Sequence, residues 1–210
     1  ASSNPGYSEL SSTSSATAIA SAFMTAGTYK YIWTKGGCSD TMQVVVGSCN
    51  CDNNLILNPS FESGNPPANW TATQPYNVFQ SDAYAAQCGS GHSAQQDGLS
   101  NSNLASFYQD VSIAGGLPVT LKFKAGTHVP GDVAKFGLIF FNGNNRLDSV
   151  FLEVDHVLGA SGSMEGYTIN ANAPASANKV RVIGKTGADW LKVDLVCLQG
   201  TAGSVCDGNR

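Results

Sequence analysis

Asn142-Gly143 stands between two runs of β-forming residues, Lys135–Phe141 and Leu147–Val154. An Asn-Gly pair accepts the positive φ that a two-residue hairpin turn demands, so the two runs are expected to pair as antiparallel neighbours. Alternation inside them assigns faces. With Leu138 and Phe140 inward, Phe141 points outward; with Val150, Leu152 and Val154 inward, Phe151 points outward. The same period of two recurs in Pro118–Lys124, where Val119, Leu121 and Phe123 alternate with Thr120, Lys122 and Lys124. Ala105–Val111, Gly166–Asn170, Lys179–Gly184 and Trp190–Leu198 read as further strands, and Val180 and Val182 inward place Arg181 outward. No long helical period appears, so an all-β, two-sheet sandwich is expected.

The surroundings of these strands bound the function. Charged residues make up 12% of the chain, against about 25% in an average soluble domain. Gly, Ser, Asn, Thr and Ala fill the difference, as in secreted β-proteins with many tight turns. A net charge of −4 with no basic stripe argues against nucleic acid. No run approaches the ~18 apolar residues of a membrane-spanning helix. Ala1-Ser2-Ser3-Asn4 lacks the basic and apolar parts of a signal peptide, so any such signal is expected to have been removed. Six cysteines, Cys38, Cys49, Cys51, Cys88, Cys197 and Cys206, favour disulfides in an extracellular chain over a metal site. Cys49-Asn50-Cys51 lacks the spacing of a zinc knuckle and no second pair follows it.

Residues 1–50 read differently from the rest. Ser11–Phe23 has a period of two, with Ala16, Ala18, Ala20 and Ala22 on one side. That predicts a strand with a flat alanine face, against a short helix or a Ser/Thr linker. Gly27–Thr34 and Thr41–Val46, joined through Gly36-Gly37, form a hairpin. The run G-T-Y-x-Y-x-W…G-G-C-S-D-T…V-V-V resembles the last two strands of immunoglobulin-like and PKD-type repeats of bacterial surface proteins. Such domains take about 7 strands and nearly 100 residues, and only about half that length stands before Cys51. The region is either the trimmed end of a repeat array or an incomplete sandwich. An incomplete sandwich leaves edges open to a strand from another copy of the chain.

From Cys51 onward the chain carries a second resemblance. Asn54-Leu55-Ile56-Leu57-Asn58-Pro59-Ser60-Phe61-Glu62 opens it, and Val193-Asp194-Leu195-Val196-Cys197-Leu198 closes it. An N-L-x-x-N-P-x-F-E opening with a V-D-x-V-x-L closing strand resembles the jelly-roll carbohydrate-binding modules of bacterial xylanases and glucanases, within the galactose-binding-like β-sandwiches. The resemblance covers residues 53–199 and implies residues 51–210 as a jelly roll closed by Asn54–Leu57 against Trp190–Leu198. It also implies a structural calcium held by Glu62 and Asp194, although Leu195 stands where the family often has a second acid. If the first and last strands are neighbours, Cys51 and Cys206 flank them and are expected to staple the ends.

A search for chemistry finds no catalytic constellation. Asp155 and His156 are adjacent and point to opposite faces of a strand. Gly89-Ser90-Gly91-His92-Ser93 is no nucleophile elbow, and nothing pairs the carboxylates across a cleft. The chain therefore reads as a non-enzyme. Sugar binding needs aromatic rings on a wet face with polar groups beside them. Phe141, Phe151 and Arg181 on strands, with Tyr76, Tyr84 and His128 in loops, are the candidates. Trp70, Trp190 and Tyr108 are read as core, and Asn69-Trp70-Thr71 fits the N-glycosylation rule. Two functions follow: an extracellular polysaccharide-binding or adhesive module, expected at a bacterial cell surface, or a filament subunit joined to its own copies by N-terminal strand donation.

Overall fold

A computed structural model describes residues 4, 8–15, 17–21, 27–46, 51–73, 79–82, 91–98, 100, 102–129, 131, 133–155, 164–187 and 190–200. No helix occurs among them. The chain divides into two compact units, one built on Ala1–Asn50 and one on Cys51–Ala86 with Gly91–Arg210.

In the first unit, β1 (Glu9–Leu10) pairs with β2 (Ala20–Ser21), and β3 (Gly27–Lys35) pairs with β4 (Cys38–Val46) from Lys35↔Cys38 to Gly27↔Val46. Gly36 and Gly37 supply the positive φ of the turn. Tyr29 and Tyr31 are buried, and the Tyr31 hydroxyl donates to Ser8 Oγ at 2.7 Å. The alanine-faced strand expected over 11–23 is confined to Ala20–Ser21 among the described residues. Its hydroxyls explain the difference. Ser12 Oγ accepts from the N–H groups of Ser14 and Ser15, Ser15 Oγ from Thr17 N–H, and Ser11 Oγ from Ile19 N–H. Side chains that satisfy nearby backbone donors fold a stretch into turns and remove it from a ladder.

The second unit is a sandwich of two five-stranded antiparallel sheets. Its strands are β5 (Thr71–Ala72), β6 (Phe79–Asp82), β7 (Ser93–Gln96), β8 (Ala105–Ser112) and β9 (Pro118–Thr127). They continue as β10 (Ala134–Asn142), β11 (Asn145–Glu153), β12 (Glu165–Asn172), β13 (Lys179–Thr186) and β14 (Leu191–Gln199). One sheet runs β11-β10-β13-β8-β5 and the other β12-β9-β14-β7-β6. Val119, Leu121, Phe123, Leu138, Phe140, Val180 and Val182 are buried between them, as the alternation requires. Phe61, Trp70, Phe79 and Phe107 close one side as an aromatic group, with ring centroids 5.0 Å apart for Phe61–Trp70 and for Phe79–Phe107.

The opening motif lies against β14 but forms no strand. Asn53, Asn58 and Phe61 have positive φ, which bends the segment out of extended geometry. A side chain replaces the missing ladder. Asn54 Nδ2 donates to Val196 O at 2.8 Å, and its Oδ1 accepts from Leu198 N–H at 2.9 Å and Ile56 N–H at 3.1 Å. Leu55 N–H adds one backbone bond to Leu198 O. Val196 and Leu198 bracket Cys197, and Cys51 therefore arrives beside Cys197. The two form a disulfide with Cα atoms 5.6 Å apart. This corrects the expected Cys51–Cys206 staple. Cys38 is an exposed free thiol at the hairpin turn, opposite Lys35 and no cysteine, and so leaves the set of disulfide candidates. Cys49, Cys88 and Cys206 lie outside the described residues.

Asn54→Ala would strand a β14 carbonyl and a β14 N–H. We expect it to destabilise the disulfide-intact chain by about 2–3 kcal/mol in urea unfolding. Asn54→Asp, which keeps the acceptor oxygen, should recover part of that loss.

Candidate functional site

The outward face of the β11-β10-β13-β8-β5 sheet is a lattice of cross-strand rows. Phe151, Gly137, Ile183, Tyr108 and Thr71 form one row, each directly opposite the next across all five strands. The neighbouring row is Ser149, Ile139, Arg181 and Asp110, and beyond it stand Arg146, Phe141, Lys179 and Ser112. On the other side Glu153, Lys135, Lys185 and Ser106 complete the face.

Its centre is apolar. Ile139 and Ile183 point away from the sandwich core, yet they are only 7% and 4% exposed because larger side chains stand around them. Gly137 sits among those side chains for a steric reason. A Cβ there would come within 2.1 Å of Val150 O and 2.9 Å of Phe151 Cδ1, so only glycine lets the Phe151 ring lie beside β10. Phe141 and Phe151 are half-buried at two edges of this floor.

Charged groups are held in place around the rings. The Arg181 guanidinium lies 3.6 Å from the Tyr108 ring centroid and donates twice to Asp110, Nε to Oδ1 at 2.6 Å and Nη2 to Oδ2 at 2.9 Å. Lys179 Nζ is 3.5 Å from Asp110 Oδ2 and 4.9 Å from the Phe141 centroid. The hydrogen bond from Arg181 holds the Asp110 carboxyl below its ordinary range against the opposing effect of burial, with a further contribution from Lys179. Asp110 raises Arg181 in return. A bidentate, ring-stacked guanidinium is held in one orientation by these contacts. Lys185 Nζ stands 5.3 Å from the Phe151 centroid, and burial, with Lys135 and Arg146 nearby, lowers its pKa.

The structure thus brings Phe141, Phe151 and Arg181 together. His128 is exposed just beyond β9, in the other sheet, and does not join them. Tyr76 and Tyr84 lie outside the described residues. Tyr108, read from sequence as core, is corrected to this face. Phe107 beside it is buried in the core, so Tyr108 turns outward, and the inward partner is Gln109. Gln109 accepts from Leu57 N–H and donates to Leu57 O and Asn69 O, which pins the opening loop. Lys179 and Lys185 were missed as well. Strand alternation alone places both beside Arg181 on the wet side.

Glu62 and Asp194 occupy other parts of the unit. Glu62 Oε1 accepts from the N–H groups of Gly91 and His92 at 2.7 and 2.9 Å, and Oε2 meets His92 Nδ1 at 2.9 Å. Asp194 is fully buried in β14, where Oδ1 accepts from Leu195 N–H and the register with β9 shifts. Pro59 O accepts from Val196 N–H at 2.9 Å, which joins the segments that carry the two acids. No group of three His, Cys, Asp or Glu converges among the described residues.

No protein-family model matches the sequence, and no curated protein is significantly similar to it. Solved structures are similar in fold. A family 16 carbohydrate-binding module matches with a TM-score of 0.54 and 15% identity, over 70% of this chain and 99% of its own. A family 61 module in complex with β-1,4-galactotriose matches at 0.50 and 19%, over 71% and 99%. The enzymatically active domain of a bacteriophage CBA120 tailspike matches at 0.58 and 15%, and there the chain spans 21% of the longer protein against 69% of itself. The second unit is an all-β sandwich of the jelly-roll kind found in these carbohydrate-binding modules.

Proposed function

We propose that the chain is a carbohydrate-binding module of a secreted or cell-surface bacterial protein, and that its glycan lies on the outward face of the β11-β10-β13-β8-β5 sheet. The observation that carries this reading is the convergence of Phe141, Phe151, Tyr108 and Arg181 on one face. Pyranose rings present flat C–H faces that stack on aromatic rings, while their hydroxyls seek charged and amide partners at the rim. Because Asp110 and Tyr108 already immobilise Arg181, little side-chain entropy is lost on binding. Support also comes from a similar sandwich solved with β-1,4-galactotriose.

Phe141→Ala and Phe151→Ala should each weaken polysaccharide binding about tenfold in affinity electrophoresis. Their unfolding free energy should change by no more than about 1 kcal/mol, since both rings lie outside the sandwich core. Full affinity in both variants would remove the glycan from this face.

The same reading gives Glu62 and Asp194 to a structural calcium. Their oxygen-only chemistry suits a hard cation, and backbone carbonyls would complete the six to eight oxygens that calcium takes. A cation at Glu62 would compete with His92 for Oε2. Calcium at about a hundred times its Kd should then stabilise the chain by about 2.7 kcal/mol, reversed by a chelator. An unchanged melting temperature would leave Glu62 as the acceptor that holds the turn at Gly91 and His92.

A second reading, a filament subunit, is favoured by one observation in the first unit. Among the described residues β3 and β4 form a two-stranded sheet, an arrangement of marginal stability alone, and Ile32 on it is 68% exposed. Light scattering of the chain with and without residues 1–23 separates the two. A polymer that falls to monomers on deletion makes this a self-assembling subunit, and monomers in both cases end that reading.

A further inference from the structure

The face described above carries more positive charge than its fold explains. Lys135, Arg146, Lys179, Arg181 and Lys185 are five of the eleven basic residues of a chain whose net charge is −4. Two acids share the face with them, Asp110 and Glu153. Asp148 is opposite the inward Phe140 and so has the other orientation.

The two acids are unequally engaged. Asp110 is taken by Arg181 and Lys179. Glu153, whose side chain is 70% exposed, reaches Lys135 at 3.9 Å, a separation and exposure at which an ion pair contributes little. Lys185 has no carboxylate partner among the described residues, and Arg146 donates to the neutral Ser149 hydroxyl. Lys135 and Lys185 stand directly opposite each other on adjacent strands. Like charges in that position destabilise a sheet. The depressed pKa of Lys185, caused first by burial and then by Lys135 and Arg146, has the same origin: a half-buried ammonium with no carboxylate partner among the described residues.

Lys185 also stands over the Phe151 ring. A sugar stacked on Phe151 would bring its ring substituents toward Lys185, with Lys135 across the strand pair, while Arg146 stands on the other side of the Phe151 row beside Ser149. We infer that the ligand of this face is an acidic polysaccharide, whose carboxylate or sulfate group is received by Lys185 and Lys135 beside the Phe151 platform. This rests on the reading of the face as a glycan site and adds the chemical class of the glycan. An anion there supplies the missing counter-charge and relieves the Lys135–Lys185 repulsion, whereas a neutral chain does neither.

The test uses matched polymers in affinity electrophoresis and calorimetry: polygalacturonate against its fully methyl-esterified form, and a sulfated galactan against the same galactan desulfated. The acidic member of at least one pair should bind about tenfold or more tightly, and whichever pair responds identifies carboxylate or sulfate. Lys185→Gln should bring the acidic-to-neutral ratio toward one, and Lys185→Arg should restore it. Raising salt should narrow the same ratio. Equal binding within both pairs, or a ratio untouched by Lys185→Gln, overturns the acidic ligand and leaves the glycan site standing. Failure to bind any polysaccharide overturns both. Equal affinity for single-stranded DNA, indifferent to Phe151→Ala, would show charge attraction without sugar recognition and would also overturn it.

Discussion

The register of β10 between β11 and β13 is the constraint on which the rest depends. Phe136, Leu138 and Phe140 face the core from the same strand that presents Lys135, Gly137, Ile139 and Phe141 to the outside. A slip of one residue would exchange the two sets and put a lysine into the core and a phenylalanine into water. The tight turn at Gly143, with its positive φ, fixes β10 against β11. Asn178 fixes it against β13: its N–H donates to Phe141 O, and its Oδ1 accepts from Gly143 N–H at 3.0 Å. The core and the candidate site are therefore one decision about pairing, made at one end of the strands and read on both faces.

That dependence explains what was legible beforehand. Strands with apolar alternation were readable, because burial on one face forces the pattern into the residues themselves. β7 was not. Ser93-Ala94-Gln95-Gln96 has no apolar period, yet all four residues are buried between β14 and β6. Its polar side chains are enclosed by neighbours, among them Lys192, itself buried and ion-paired to Asp82. No window along the chain contains that information. The Ser-rich stretch after β1 failed in the opposite sense. Its period of two was real, but hydroxyls that bond their own backbone outweighed the pattern. The opening motif was placed correctly beside β14 and misjudged in form, because a carboxamide that mimics a ladder looks the same in sequence as the start of a strand.

For the site, parity was sufficient where it was applied. Phe141, Phe151 and Arg181 were obtained by asking which residues alternate with buried ones. The same question asked of Phe107 gives Tyr108, and asked of Val180 and Val182 gives Lys179 beside Arg181. The pairings themselves were out of reach. Arg181 meets Asp110, seventy-one positions earlier, only because β13 lies between β10 and β8, and strand order is a property of the whole sheet. Charge counted along the chain gives −4 and argues for nothing basic; charge counted over one face gives a cationic surface. An average over sequence hides a segregation made by folding.

The face also shows how a sheet surface tolerates local charge repulsion. Ile139 and Ile183 give it a nearly solvent-free floor, so its rings and ions are anchored by burial as well as by one another. Arg181 is held by a ring and a carboxylate together, and Lys179 is shared between Asp110 and Phe141. Each contact limits the freedom of the next, and on this face the directly opposed like charges are Lys135 and Lys185. A sheet that needed only stability would place an acid or a threonine opposite Lys135 on β13, as Glu153 stands opposite it on β11. The repulsion is concentrated beside the Phe151 ring and absent around Tyr108, where Asp110 neutralises Arg181, so folding the sandwich does not require it.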